Sequence, residues 1–215
     1  MEIKDVSYYS NTRQEMLPFI PSSAKKILEI GCGKGHFCGQ LIGKDIEVWG
    51  IEPDKDSAEI AEKKLYKVLN NKLDDAVRLL PDNYFDVIIL NDVIEHLLFP
   101  WDDLKTLRSK LSNNGVITAS IPNVRYIKNL FHVLINKNWE YSESGILDST
   151  HFRFFTKKSI VSLFSKCGYS IEKIKGINKT KSTKYQLFAL LINVLFFFNH
   201  SDTLYLQYAV TAKKE

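Results

Sequence analysis

Three kinds of residue in this chain could do chemistry. Asp92, Glu95 and His96 follow a continuous apolar run at spacings i, i+3 and i+4, which predicts one side of a first helical turn. His151 stands in a later, polar stretch. An imidazole near neutral pH can take a proton from an attacking hydroxyl, so His96, supported by Glu95, and His151 are candidate catalytic groups. Upstream, Glu29 precedes glycines at every second position, Gly31, Gly33 and Gly35. Such glycines accept positive φ and let a ligand lie against bare main chain. Further on, Glu52 ends a second apolar run, at the position where a carboxylate accepts hydrogen bonds from ribose hydroxyls in nucleotide-binding α/β domains. His36 occupies the place of the third glycine of a dinucleotide fingerprint, which argues against a nicotinamide ligand.

Positioning these groups requires strands that end together at one sheet edge. Residues 26–30 and 46–51 predict the first two strands, with a helix over 36–42 between them and another over 57–66. Residues 66–69 predict a weak third strand, and 84–90 a central one buried on both faces. A helix over 101–111, capped by Gly115, leads to a strand over 116–121. After a helix at 126–135, residues 136–150 are polar and irregular. A helix over 157–167 starts at Thr156 and stops at Gly168, followed by a strand at 169–174, a late helix at 185–198 and a last strand at 204–212. An α/β fold of three layers, αβα, doubly wound on a mostly parallel seven-stranded sheet with an antiparallel last strand, is the expectation.

The sequence Glu29-Ile30-Gly31-Cys32-Gly33-Lys34-Gly35 resembles motif I of class I S-adenosylmethionine-dependent methyltransferases. Asn91-Asp92-Val93-Ile94-Glu95-His96-Leu97 resembles the matching segment of small-molecule O-methyltransferases of the ubiquinone-pathway type, and the two together cover 27–122. This resemblance implies that S-adenosylmethionine is held by Glu29, Gly31, Cys32, Gly33, Gly35, Phe37, Glu52, Pro53 and Asn91. It implies adenine recognition near Leu73 or Asp74, where Asn71-Lys72 replaces the family's Gly-Asp. It further implies an N-terminal lid helix within 1–24, from which Tyr8 and Arg13 cover the cofactor.

The resemblance extends to a divalent cation site. Glu-x-x-Glu-His is the metal pattern of small-RNA 2'-O-methyltransferases, and here Asp92, Glu95 and His96, with His151, would hold Mg, Mn or Fe. The expected activity is methyl transfer to a hydroxyl of a small molecule or a glycan or lipid precursor. The alternatives are a metal-dependent small-RNA 2'-O-methyltransferase and a non-catalytic cofactor-binding protein.

Composition narrows these choices. A chain of 215 residues, 45% hydrophobic and 25% charged, fits a single domain with a sizeable core. Within it, 123–156 is expected to cover the substrate and 177–203 to be a late helical insertion. A net charge of +4 does not call for nucleic acid, despite the lysines between 173 and 184. Three cysteines without a Cys-x-x-Cys pair suit a reducing compartment, and the cytoplasm is the expected location. The apolar run at 185–198 is too short to span a bilayer and suits peripheral contact with a membrane surface. The expected state is a monomer or homodimer.

Overall fold

Strand β4, Phe85–Asn91, runs through the middle of the molecule, and Val87, Ile88, Ile89 and Leu90 are wholly buried along it. A strand apolar at every position has to be covered on both faces. Each such side chain contributes roughly 2 kcal/mol by leaving water. A computed structural model describes residues 12–197 and 200–215 and shows that cover. The sheet also contains β1 (Lys26–Ile30), β2 (Glu47–Ile51), β3 (Lys67–Leu69), β5 (Leu111–Pro122), β6 (Tyr169–Lys179) and β7 (Tyr205–Lys214). Its order is β3-β2-β1-β4-β5-β7-β6. All neighbours are parallel except β7, which is antiparallel to both β5 and β6.

Strand alternation divides the core into two layers. Leu28, Ile30, Ile88 and Leu90 face Leu104, Leu107, Ile160 and Leu163, which come from α3 (Pro100–Lys110) and α5 (Lys157–Lys166). Ile27, Val87 and Ile89 face Met16, Phe19, Phe37 and Ala61; the last belongs to α1 (Lys55–Glu62). The remaining helices are α2 (Leu73–Ala76), α4 (Ile127–Leu134) and α6 (Thr183–Leu195). A third cluster joins α4, α6 and the segment around Ile146. The expected doubly wound, mostly parallel seven-stranded fold is present.

Four local expectations differ. The glycine turn leads only into a single 3-10 turn at Cys38–Leu41, because Gly39 and Gly43 weaken a longer helix. The N-terminal helix is also 3-10, Gln14–Phe19, with Pro18 inside it removing an amide donor. Its Met16 and Phe19 pack into the sheet. Gly115 lies on β5, not at a helix end; a Cβ there would stand 2.7 Å from the Phe85 carbonyl oxygen. Finally, β6 continues to Lys179, five residues past its apolar start, because β7 pairs along its whole length. The caps of α5 agree with the sequence: Thr156 Oγ1 accepts from Ser159 N at 3.2 Å, and Gly168 takes φ +79°.

Candidate active site

The parallel strands β1, β2 and β4 end at one sheet edge, where the glycine turn begins. Gly31, Gly33 and Gly35 have φ of +68°, +51° and +69°, a backbone that side-chain-bearing residues rarely adopt. Gly31 and Cys32 N–H both donate to the Ile51 carbonyl, so the turn is tied to the end of β2. Glu52 follows directly. Its buried carboxylate accepts from Gly33 N at 2.8 Å and from Asp54 N at 2.9 Å. Those two donors fix the carboxylate while leaving it lone pairs for further donors. Burial pushes the Glu52 carboxyl above its ordinary pKa, opposed by these same backbone bonds. Asn70, not singled out from the sequence, holds the loop from below by donating to the Glu52 carbonyl at 2.8 Å. Pro53 is exposed on the rim.

Glu29 is buried on β1, and burial raises its carboxyl to about 7, with the Cys38 thiol hydrogen bond pulling the other way. Its Oε2 and both side-chain polar atoms of Asn91, at the end of β4, make no well-formed hydrogen bond within the protein, although Asn91 is near enough to pull the Glu29 carboxyl down. Buried polar atoms of this kind need a ligand or water to satisfy them. Cys32 and Phe37 are buried: Cys32 Sγ fills the space above Gly50, and Phe37 joins the core layer under the turn. Leu73 begins α2 half-buried against the core, and Asp74 beside it is exposed.

Arg13 and Asp92 meet each other. The Arg13 guanidinium pairs with the Asp92 carboxylate and also donates to Glu15 Oε1 at 2.9 Å, Ser120 Oγ at 2.8 Å and Gln207 Oε1 at 3.3 Å. Asp92 does not start a helical turn. Its φ is +54°, and the 3-10 turn that follows, Ile94–His96, begins two residues later. The expected one-sided i, i+3, i+4 arrangement is therefore broken at its first member. Tyr8 lies outside the described residues.

Glu95, His96 and His151 come together, with ligand atoms all within 4.8 Å of one another. Asp92 is not in this group. Glu95 is buried, and its main-chain carbonyl accepts from Phe152 N at 2.9 Å and Arg153 N at 3.1 Å. That pair of bonds ties the late loop to the end of β4. His151 Nε2 is 4.0 Å from Glu95 Oε1, and the two imidazole rings meet edge-on with centroids 4.6 Å apart. His151 Nδ1 donates to the Ile146 carbonyl at 2.9 Å. His96 Nδ1 donates to the carbonyl and hydroxyl oxygens of Thr150, both at 3.1 Å. The Thr150 hydroxyl in turn donates to Asp148 Oδ1 at 2.6 Å. These contacts place a proton on Nδ1 of both rings, so in the neutral form Nε2 carries the lone pair. Nothing in the sequence marks Asp148 and Thr150, which lie in a polar loop without periodicity.

Next to this cluster is a cavity of about 410 Å³, lined by Tyr126, Lys128, His132, Glu140, Tyr141 and Ile146 among others. Ile146 belongs to both, giving its side chain to the cavity and its carbonyl to His151. His132 is exposed at the cavity wall, with its Nδ1 3.0 Å from Asn136 Nδ2. Of the aromatic residues within 123–156, Tyr126 and Phe155 are buried, while Trp139, Tyr141 and Phe152 are exposed.

Known proteins related in sequence or in fold are methyltransferases. The "Methyltransferase domain" family matches residues 4–174. A ubiquinone biosynthesis O-methyltransferase of Rickettsia typhi is 26% identical over 162 residues, 72% of this chain and 64% of that protein. Two further ubiquinone biosynthesis O-methyltransferases are matched over only 42% and 38% of their own length, so the chain spans about half of these curated relatives. Among solved structures, a SAM-dependent methyltransferase from Archaeoglobus fulgidus superposes with a TM-score of 0.67, covering 93% of this chain and 90% of that one at 21% identity. A Burkholderia thailandensis 1,6-didemethyltoxoflavin-N1-methyltransferase, solved with its acceptor and S-adenosylhomocysteine, gives 0.58, with 89% and 71% covered at 13% identity.

Proposed function

Because the chain belongs to the methyltransferase domain family, within the class I S-adenosylmethionine-dependent methyltransferases, we propose that it methylates a hydroxyl group of a small-molecule acceptor. The observation that carries this reading is the Glu52 carboxylate, fixed by Gly33 and Asp54 N–H groups beside the positive-φ glycine turn. The residues fit the cofactor. Glu52 takes the ribose hydroxyls, and the main chain from Gly31 to Gly35 lies along the methionine portion. Glu29 Oε2 and the Asn91 amide supply polar atoms that the protein itself leaves unsatisfied. The backbone at Leu73 and the neighbouring Asp74 meet the adenine, with Pro53 at its edge. Arg13, committed to Asp92, closes the floor through that ion pair, and Cys32 and Phe37 shape the turn from beneath.

When bound, S-adenosylmethionine supplies a methyl group on a sulfonium, ready for in-line displacement. The chain's own task is to hold the acceptor in line, exclude water and take the hydroxyl proton. His96 Nε2 is the base: its Nδ1–H is held by Thr150, and Asp148 orients Thr150. The cavity behind Ile146 is sized for a drug-like acceptor, with aromatic walls and Lys128 and Glu140 as polar contacts. Hydroxyl methylation is supported by the ubiquinone biosynthesis O-methyltransferases among the relatives.

A second reading of the same cluster is favoured by the 4.0 Å gap between His151 Nε2 and Glu95 Oε1, which is too long for a hydrogen bond. His96 brings a third ligand atom to the same place, all three lying within 4.8 Å of one another. Glu95, His96 and His151 would then hold a Mg, Mn or Fe ion that lowers the pKa of the acceptor hydroxyl. The Ile146 and Thr150 oxygens orient the two rings from behind. Activity on a panel of phenols and nucleotide sugars, measured with labelled donor in the presence and absence of a chelator, decides between base and metal. Turnover that survives chelation removes the metal. A complete lack of S-adenosylhomocysteine binding by calorimetry removes both.

A further inference from the structure

Helix α6 is apolar on two opposite faces, and only one of them is buried. Ala189 and Ile192 pack inward with Phe188, whose ring meets Phe131 of α4 at 5.2 Å. On the other side Leu187, Leu190, Leu191, Val194 and Leu195 follow at i, i+3, i+4, i+7 and i+8, each more than half exposed. Phe196 extends the stripe beyond the helix, and Phe197 is 92% exposed. Leu134 and Ile135 at the end of α4, also more than half exposed, broaden it. A helix that is apolar all round is normally a buried one. An apolar stripe this long on a helix surface marks a contact with something else.

The charge around the stripe says what that something is. From Lys173 to Ser201 the sequence carries five lysines and no Asp or Glu. Lys179 at the end of β6, Lys181 in the connection and Lys184 in the first turn of α6 are exposed, as is Lys128 on the neighbouring α4. Lys184 Nζ stands 4.4 Å over the Phe131 ring and Lys128 Nζ 5.6 Å over Tyr185, so both ammonium groups lie along the α4–α6 seam. The acid closest in sequence beyond the helix, Asp202, is paired with Arg125 at 2.6 Å. Leucine and phenylalanine on one face, flanked by lysines, is the composition of a helix that lies in the interface of an anionic bilayer. No helix among the described residues is long and apolar enough to cross one. We propose that α6 docks this protein on an anionic membrane surface, its outward stripe entering the acyl boundary and Lys128, Lys179, Lys181 and Lys184 meeting the lipid head groups. Apart from Lys128, which also lines the acceptor cavity, none of these side chains belongs to the cofactor cradle, the histidine cluster or that cavity, so the inference does not depend on the methyl transfer reading.

Flotation of the full chain with vesicles of equal parts phosphatidylcholine and phosphatidylglycerol should carry the protein upward, and pure phosphatidylcholine should bind about tenfold less. Leu190→Glu with Leu191→Glu should abolish flotation while leaving the melting temperature within a few degrees. Lys181→Glu with Lys184→Glu should remove the preference for anionic lipid and its salt sensitivity. A Phe197→Trp chain should show a blue shift in the added emission on mixing with anionic vesicles. Flotation that ignores the paired Leu→Glu change overturns the proposal. So does a chain that binds neither vesicle, or one whose stripe instead holds a salt-insensitive dimer in sedimentation that the Leu→Glu pair dissociates.

Discussion

The cradle at the ends of β1 and β2 and the histidine cluster beyond β4 are built in opposite ways. In the cradle most of the work falls to main chain: three glycines at positive φ, two N–H donors on Glu52, and strand ends tied together through Ile51. Its parts come from one stretch of sequence joined to the next. The cluster is made of side chains from 95–96 and from a loop more than fifty residues later, sewn on by the Glu95 carbonyl and by the Asp148–Thr150–His96 relay. In the reading proposed above, the first is a rigid site for the cofactor. The second sits on a loop able to vary with the acceptor while the scaffold stays put.

That contrast is broken most sharply by removing the imidazole. His96→Ala should lower turnover by about 10²- to 10⁴-fold, the range of a lost general base, with S-adenosylhomocysteine affinity within about threefold of the parent. Equal losses in both would mean that the two regions are not separable. On the other side, Glu52→Ala removes a charged acceptor of two hydroxyl donors. A loss of about 10²-fold in cofactor affinity by calorimetry is expected, with the melting temperature little changed. Unchanged affinity would remove the ribose assignment.

A smaller effect concerns Glu29 alone. Burial holds its carboxyl at about 7 in the folded chain against 4.5 when free. The folded state therefore binds the proton more tightly, and the associated stability is fully present below pH 4.5. It is lost as pH rises to about 7, a change of about 3 kcal/mol in the cofactor-free protein. Denaturant midpoints followed from pH 4.5 to 7.5 should fall more steeply for the parent than for Glu29→Gln. Parallel profiles would show that Glu29 is not the group responsible.

The same contrast explains what could be read in advance. Periodic apolar runs and glycine spacing are local, and they revealed the strands, the turn and the carboxylate that follows β2. Elements set by distant partners were hidden. Gly115 looked like a helix cap because nothing local reveals the Phe85 carbonyl pressed against it. Asp92 looked like the first residue of a helical turn, but its positive φ and the Arg13 guanidinium draw it into a different network. Asn70, Asp148 and Thr150 act through hydrogen bonds to groups far along the chain or within irregular loops, where no spacing announces them. The outer stripe of α6 was visible as an apolar run, yet only the fold shows which of its two faces is covered.

The most direct measurement is a crystal structure of the full chain with S-adenosylhomocysteine. Both ribose hydroxyls should lie within hydrogen-bond reach of the Glu52 carboxylate, with the homocysteine chain along Gly31 to Gly35 and its sulfur toward the His96 and His151 rings. A crevice closed by its own side chains, or one holding a different nucleotide, would contradict it.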